Sequence, residues 1–115
     1  MSADASFDLN HFQAMTGEDP ALQAELAALF KAQAKLWERL LVVDAPAPTW
    51  RDAAHTLKGS ARGLGLWRLA EACSGVEAAA RSGLREGPKV HRALARARKE
   101  LRAALEALER AIPSS

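Results

Sequence analysis

The sequence predicts an all-α protein: an up-down antiparallel four-helix bundle with a short extra N-terminal helix. Three observations carry that prediction. Apolar residues recur at three- and four-residue spacing along four long segments. No strand-like alternation is sustained anywhere in the chain. The breaks between segments are short, which makes successive helices antiparallel neighbours.

The elements follow in order. A short helix from Asp8 to about Met15 carries Phe12 and Met15, with Phe7 just before it. Asp19-Pro20 then supplies an N-cap followed by proline at the first helical position. The second segment runs from there to about Val43, with Leu22, Leu26, Leu29, Phe30, Leu36, Trp37, Leu40 and Leu41 read as one buried stripe. "DAPAPT" ends it, because two prolines in three residues cannot continue a helix. Thr49 is the expected cap of the third segment, with Asp52 as a weak capping box, and that helix reaches roughly Leu64. The fourth runs from about Leu66 to Ser82 and stops at Gly83. The fifth extends from Pro88 to about Ile112 on Val90, Leu94, Ala97, Leu101, Leu105, Leu108 and Ile112.

Composition narrows the function classes. With 115 residues the chain reads as one domain over 1–115, too short for a typical two-domain enzyme. Its ends, about 1–6 and 113–115, are expected to fray. A net charge of +2 from mixed signs points to no particular partner. Cys73 is the single cysteine, so no internal disulfide forms and a reducing compartment fits. The N-terminus lacks a basic region followed by an apolar run, and no stretch approaches a membrane span. A cytoplasmic location is the expectation.

The third segment holds the anomaly. "AHTLKGSARGLG" places Gly59 inside a helix, where glycine costs roughly 1 kcal/mol relative to alanine. On a helical wheel Trp50, Ala53, Ala54, Ala61 and Leu64 fall within about 60° of Leu57, and His55 lies about 160° away. His55 therefore projects to solvent among Arg51, Lys58 and Arg62. A neutral imidazole is a nucleophile near neutral pH, and cations beside it favour the uncharged form. The same cations would meet the oxygens of a phosphoryl group bonded to the ring. Gly59, one turn on, removes the side chain that would hold a macromolecular partner away.

Any one of these residues alone is ordinary solvated surface. A second anomaly tips the balance. Glu77 lies on the apolar stripe of the fourth segment, where a carboxylate is costly unless paired. Arg81, four residues on, is its local partner. An imidazole N–H on the neighbouring helix is the functional one. His55 lies ten residues before Gly65 and Glu77 twelve after it, so a hairpin turning there sets them at similar height.

At these residues the sequence resembles the histidine-containing phosphotransfer (HPt) domains of multistep phosphorelays. The family motif, His-x-Leu-Lys-Gly with small residues and a later glycine, reads here as His55, Leu57, Lys58, Gly59, Ser60, Ala61 and Gly65. The resemblance implies that His55 carries a phosphoryl group on Nε2 and that Lys58 stabilises it. It implies that Gly59 admits a receiver domain and that Glu77 hydrogen-bonds Nδ1. Arg51 and Arg62 flank the face such a partner would meet.

The resemblance further implies a phosphoryl carrier and not an enzyme with its own ATP site. No cofactor is expected on this chain, and Mg²⁺ is expected on the partner receiver domain. The partners implied are receiver domains of a hybrid histidine kinase and of a response regulator, with no nucleic acid, no membrane and a monomeric carrier. The Ala and Arg bias suits a GC-rich bacterial genome.

Two other readings compete. The fifth segment clusters Lys89, Arg92, Arg96, Arg98, Lys99 and Arg102, as nucleic-acid-binding helices do, but Glu100, Glu106 and Glu109 interrupt it and stacking aromatics are absent. Its apolar spacing also suits a dimerisation seam, although a four-helix bundle uses the same stripe as core. His11 and His91 have no companion at metal-ligand spacing, Cys73 reads as a small core residue, and Trp37, Trp50 and Trp67 read as core or rim packing. The receiver-docking patch is expected from apolar residues of the first two segments beside His55.

Overall fold

The computed structural model describes residues 6–83 and 87–112. Five α-helices and no strand appear among them: α1 (Leu9–Thr16), α2 (Pro20–Leu40), α3 (Ala47–Leu64), α4 (Trp67–Arg81) and α5 (Pro88–Ala111). The four long helices form the bundle and α1 packs across α2 and α3. The closest pairing is α3 with α4, then α4 with α5, whereas α2 touches α5 only sparsely. Of the ends expected to fray, Ser6 is described and half-buried; 1–5 and 113–115 lie outside the described residues.

Local chemistry sets the helix ends. Asp19 caps α2 by accepting from the N–H groups of Ala21 at 3.0 Å and Leu22 at 3.3 Å, and Pro20 occupies the first turn. At the end of α3 the Leu66 N–H returns to Ala61 O at 2.8 Å and the Gly65 N–H to Arg62 O at 3.3 Å, the closure made by a left-handed residue after a helix. Gly65 supplies that conformation at φ 81°.

The N-terminal segment latches onto this turn. Asp8 donates its N–H to Gly65 O at 2.8 Å, and its side chain caps α1 through the His11 N–H at 3.0 Å. Trp67 donates its indole N–H to the other Asp8 oxygen at 2.9 Å, and this bond first, then the one from His11, holds the carboxyl below its ordinary value. His11 packs edge-on against Trp67, with ring centroids 4.8 Å apart. Its Nε2 lies 3.2 Å from Gly63 O, which can only accept, so Nε2 carries the hydrogen.

The core consists of the inward stripes of the helices. Trp50, Ala54, Leu57 and Ala61 of α3 are fully buried with Cys73 and Val76 of α4 and Val90, Leu101 and Leu108 of α5. Leu94 and Ala97 join them, and Leu105 and Ile112 pack at the edge. The spacing that suited a dimer seam on α5 is thus spent on the bundle interior.

Three expectations need correction. First, α2 ends at Leu40 instead of Val43; Leu41 leaves the helix at ψ 55° yet stays buried, so the apolar pattern outlasts the helix. Second, α3 starts at Ala47 with Pro46 as its N-cap, and no side chain caps it. Thr49 is already inside the first turn, donating its N–H to Pro46 O at 2.8 Å, and Asp52 pairs with Arg51. Proline fits there because first-turn N–H groups have no helical acceptor. Third, Leu22, Leu29 and Leu36 are not core; they lie exposed on α2, as Met15 does on α1 and Trp67 on α4.

Candidate functional site

Helix α3 carries His55 near its middle, and α4 brings Glu77 to it from the other arm of the hairpin. The two arms are fixed in height by the Gly65 turn and by small facing residues, Ala54 and Ala61 on α3 and Ala70 and Cys73 on α4, all buried. His55 Nδ1 lies 3.0 Å from Glu77 Oε2. The imidazole is 72% exposed whereas the Glu77 side chain is 10% exposed, so a surface ring rests on an interior carboxylate.

That carboxylate is shared. Lys58 Nζ lies 2.5 Å from Glu77 Oε1, and the lysine side chain is itself largely covered. Arg81, the local partner the sequence offered, makes no ion pair with Glu77. Burial is the strongest single influence on Glu77 and opposes its ionisation. The bonds from Lys58 and His55 together outweigh it, holding the carboxyl below its ordinary value. The site thus keeps Glu77 charged near neutral pH.

A chemical consequence follows. An ionised carboxylate only accepts hydrogen bonds, so Nδ1 carries the proton of a neutral His55. The lone pair is then on Nε2, the nitrogen away from Glu77, on the exposed side of the ring. A nucleophilic nitrogen aimed at solvent and held by a buried orienting group matches an activated nucleophile braced by a second residue.

The other sequence candidates fall around this centre without joining it. Arg51 pairs through Nε with Asp52 at 3.3 Å on the surface, and Arg62 is exposed. Gly59 is exposed, and a Cβ built on it would meet nothing within 4 Å. No clash inside the molecule demands glycine there. No group of three or more His, Cys, Asp or Glu side chains able to hold a metal occurs among the described residues.

Beside Gly59 the surface falls into an apolar cavity of about 290 Å³, lined by Met15, Leu26, Leu29, Phe30 and Leu64. Met15 belongs to α1, Leu26, Leu29 and Phe30 to α2, and Leu64 to the end of α3. A signal was present: Leu22, Leu29 and Leu36 recur every seven residues, offset from the Phe30, Ala34, Trp37 and Leu41 run that is buried. Reading both sets as one stripe concealed the exposed edge.

Comparison with known proteins agrees with this geometry. The family model of the Hpt domain matches residues 18–111, most of the chain and all of α2 to α5. The structure is similar to the crystal structure of the histidine phosphotransferase ShpA from Caulobacter crescentus. The two share 33% identity and a TM-score of 0.72, over 92% of this chain and 89% of that one. No curated protein sequence matches at a comparable level. The match over four helices, with the His55 motif on the second of them, establishes that the chain belongs to the Hpt domain family.

Proposed function

We propose that this protein carries a phosphoryl group on Nε2 of His55 between aspartates of two receiver domains, one in a hybrid histidine kinase and one in a response regulator. The observation that carries this reading is the His55–Glu77 contact, which leaves Nε2 unprotonated on an exposed ring. In the transfer step an aspartate oxygen attacks phosphorus as the P–N bond breaks. The electron pair returns to Nε2 while Nδ1 keeps its proton on Glu77. The reverse reaction loads the carrier by the same path.

Residue roles follow from position. Glu77 orients the ring and offsets the positive charge that develops on it. Lys58 holds Glu77 ionised and lies one turn from His55, where its ammonium can pass to an arriving phosphoryl oxygen. Gly59 leaves room for the receiver backbone, the apolar cavity beside it receives the docking surface, and Arg51 and Arg62 rim that face. Mg²⁺ belongs to the receiver's carboxylates in this reading. The carrier acts as a monomer in the cytoplasm.

The test is a chase. Phosphorylated protein mixed with a purified receiver domain should lose its acid-labile phosphate as the receiver gains an acyl phosphate. Loss to water alone, with no receiver product across a panel of receivers, would overturn the carrier role.

A further inference from the structure

Away from His55, the loop after α2 stands off α5 and leaves a groove of about 740 Å³. Leu41 and Leu94 form its buried apolar floor, with Val42 and Val43 half-buried on the loop side. Arg98, Lys99 and Arg102 project from α5 along it, and Asp44 and Glu106 stand among the lining residues.

The acids that interrupt this basic run in sequence are mostly turned elsewhere. Glu100 is buried and accepts from Arg68 of α4 at 3.2 Å, and Glu109 pairs with Lys31 of α2. Folding thus buries one of these carboxylates and pairs the other with a lysine of α2 on the surface. Arg98, Lys99 and Arg102 have no ion-pair partner among the described residues, unlike Lys31, Arg51, Lys58 and Arg68. Arg98 is half-buried, whereas Lys99 and Arg102 are exposed.

We infer that this groove is a second docking site, which takes an acidic amphipathic helix from a partner protein. Its shape argues for a helix. The lining positions of α5 run from His91 to Glu106, about 22 Å at 1.5 Å per residue. A small anion would engage the three cations and leave most of the apolar floor uncovered. A helix laid along α5 covers the floor with its apolar edge and meets the cations with Asp or Glu. Duplex nucleic acid fits worse: its phosphate backbone has no apolar edge to cover the Leu41 and Leu94 floor. The groove shares no lining residue with the cavity at Gly59, so both can be filled at once. A partner held here would deliver its reactive domain at raised effective concentration.

The proposal stands apart from the phosphoryl chemistry, and its test does not use it. The full chain, isotope-labelled for NMR, is titrated with a synthetic helical peptide carrying leucines on one edge and glutamates beside them. A lysine version of the peptide, a DNA duplex and inorganic phosphate serve as comparison probes. Saturable shifts should appear at Val42, Val43, Leu94 and Arg102 with the acidic peptide alone, leaving His55 and Gly59 unmoved. Lys99→Glu and Arg102→Glu, at exposed positions that leave the fold intact, should each weaken binding about tenfold, a change of about 1.4 kcal/mol. The proposal is overturned by absence of saturable shifts, by equal binding of the lysine peptide, by affinity indifferent to both variants, or by DNA or phosphate occupying the groove.

Discussion

Glu77 Oε2 stands 3.0 Å from Nδ1 of His55 and ties α4 to α3 across 22 residues of sequence. The acceptor is buried and the ring it holds is exposed, so the contact orients the imidazole through Nδ1 without covering the ring. Glu77→Ala should therefore slow phosphoryl transfer about 10- to 100-fold, the equivalent of a charged hydrogen bond of about 1.5–3 kcal/mol. Receiver affinity should be unchanged, because the removed atoms face the interior. Glu77→Gln keeps an acceptor oxygen and should lose less. Single-turnover transfer and receiver binding, measured side by side, check both statements.

The same carboxylate predicts an acid limb of stability. Its folded-state value lies below the ordinary 4.5 because Lys58 and His55 outweigh burial. The stabilisation is therefore fully present above about pH 4.5 and is lost as pH falls through the lowered value. Glu77→Gln has nothing to titrate at this position. Its melting temperature should fall less steeply than the parent's below pH 4.5, which thermal unfolding across pH 3–7 reads directly.

The two glycines of the motif should respond in opposite ways. Gly59 has open space around a prospective Cβ, so Gly59→Gln should leave stability equal or higher by up to about 1 kcal/mol. It should nevertheless block transfer by obstructing the receiver. Gly65 sits at φ 81°, and a Cβ there would lie 2.8 Å from Asp8 O. Gly65→Ala should cost about 1–3 kcal/mol and loosen the N-terminal latch. Denaturant unfolding of both variants, with transfer assays on the folded fraction, separates access from architecture.

The helices were legible because their apolar spacing and proline and glycine breaks are local signals. His55 and Glu77 were legible because a hairpin converts sequence offset from a turn into height, and Gly65 marked the turn. Three features were not. Pro46 begins α3 without any side-chain cap, so the Thr49 and Asp52 pattern offered a better signal than the real start. The motif points Lys58 at an arriving phosphate, whereas its pairing with Glu77 depends on a residue of α4 that no wheel of α3 contains. Asp8, His11 and Trp67 looked unrelated, because contacts spanning 52 and 59 residues leave no periodic trace.

The exposed leucines of α2 supply a further check. Leu29 is 53% exposed and lines the cavity beside Gly59. Leu29→Glu should leave the melting temperature within a few degrees, since surface changes stay near ±0.5 kcal/mol. Receiver binding should weaken by about tenfold or more, through loss of apolar contact and an added carboxylate at the docking face. Calorimetric titration with a receiver domain measures it.

The central claim is that His55 alone accepts the phosphoryl group. Three proteins should be incubated with a phosphorylated receiver domain: the parent, His55→Gln and His91→Gln. Acid-labile, alkali-stable phosphate is then mapped by mass spectrometry under neutral conditions. The parent and His91→Gln should carry one phosphoryl group on the peptide containing His55, and His55→Gln should carry none while its circular dichroism matches the parent. Phosphate retained in His55→Gln, or lost equally in His91→Gln, would contradict the account.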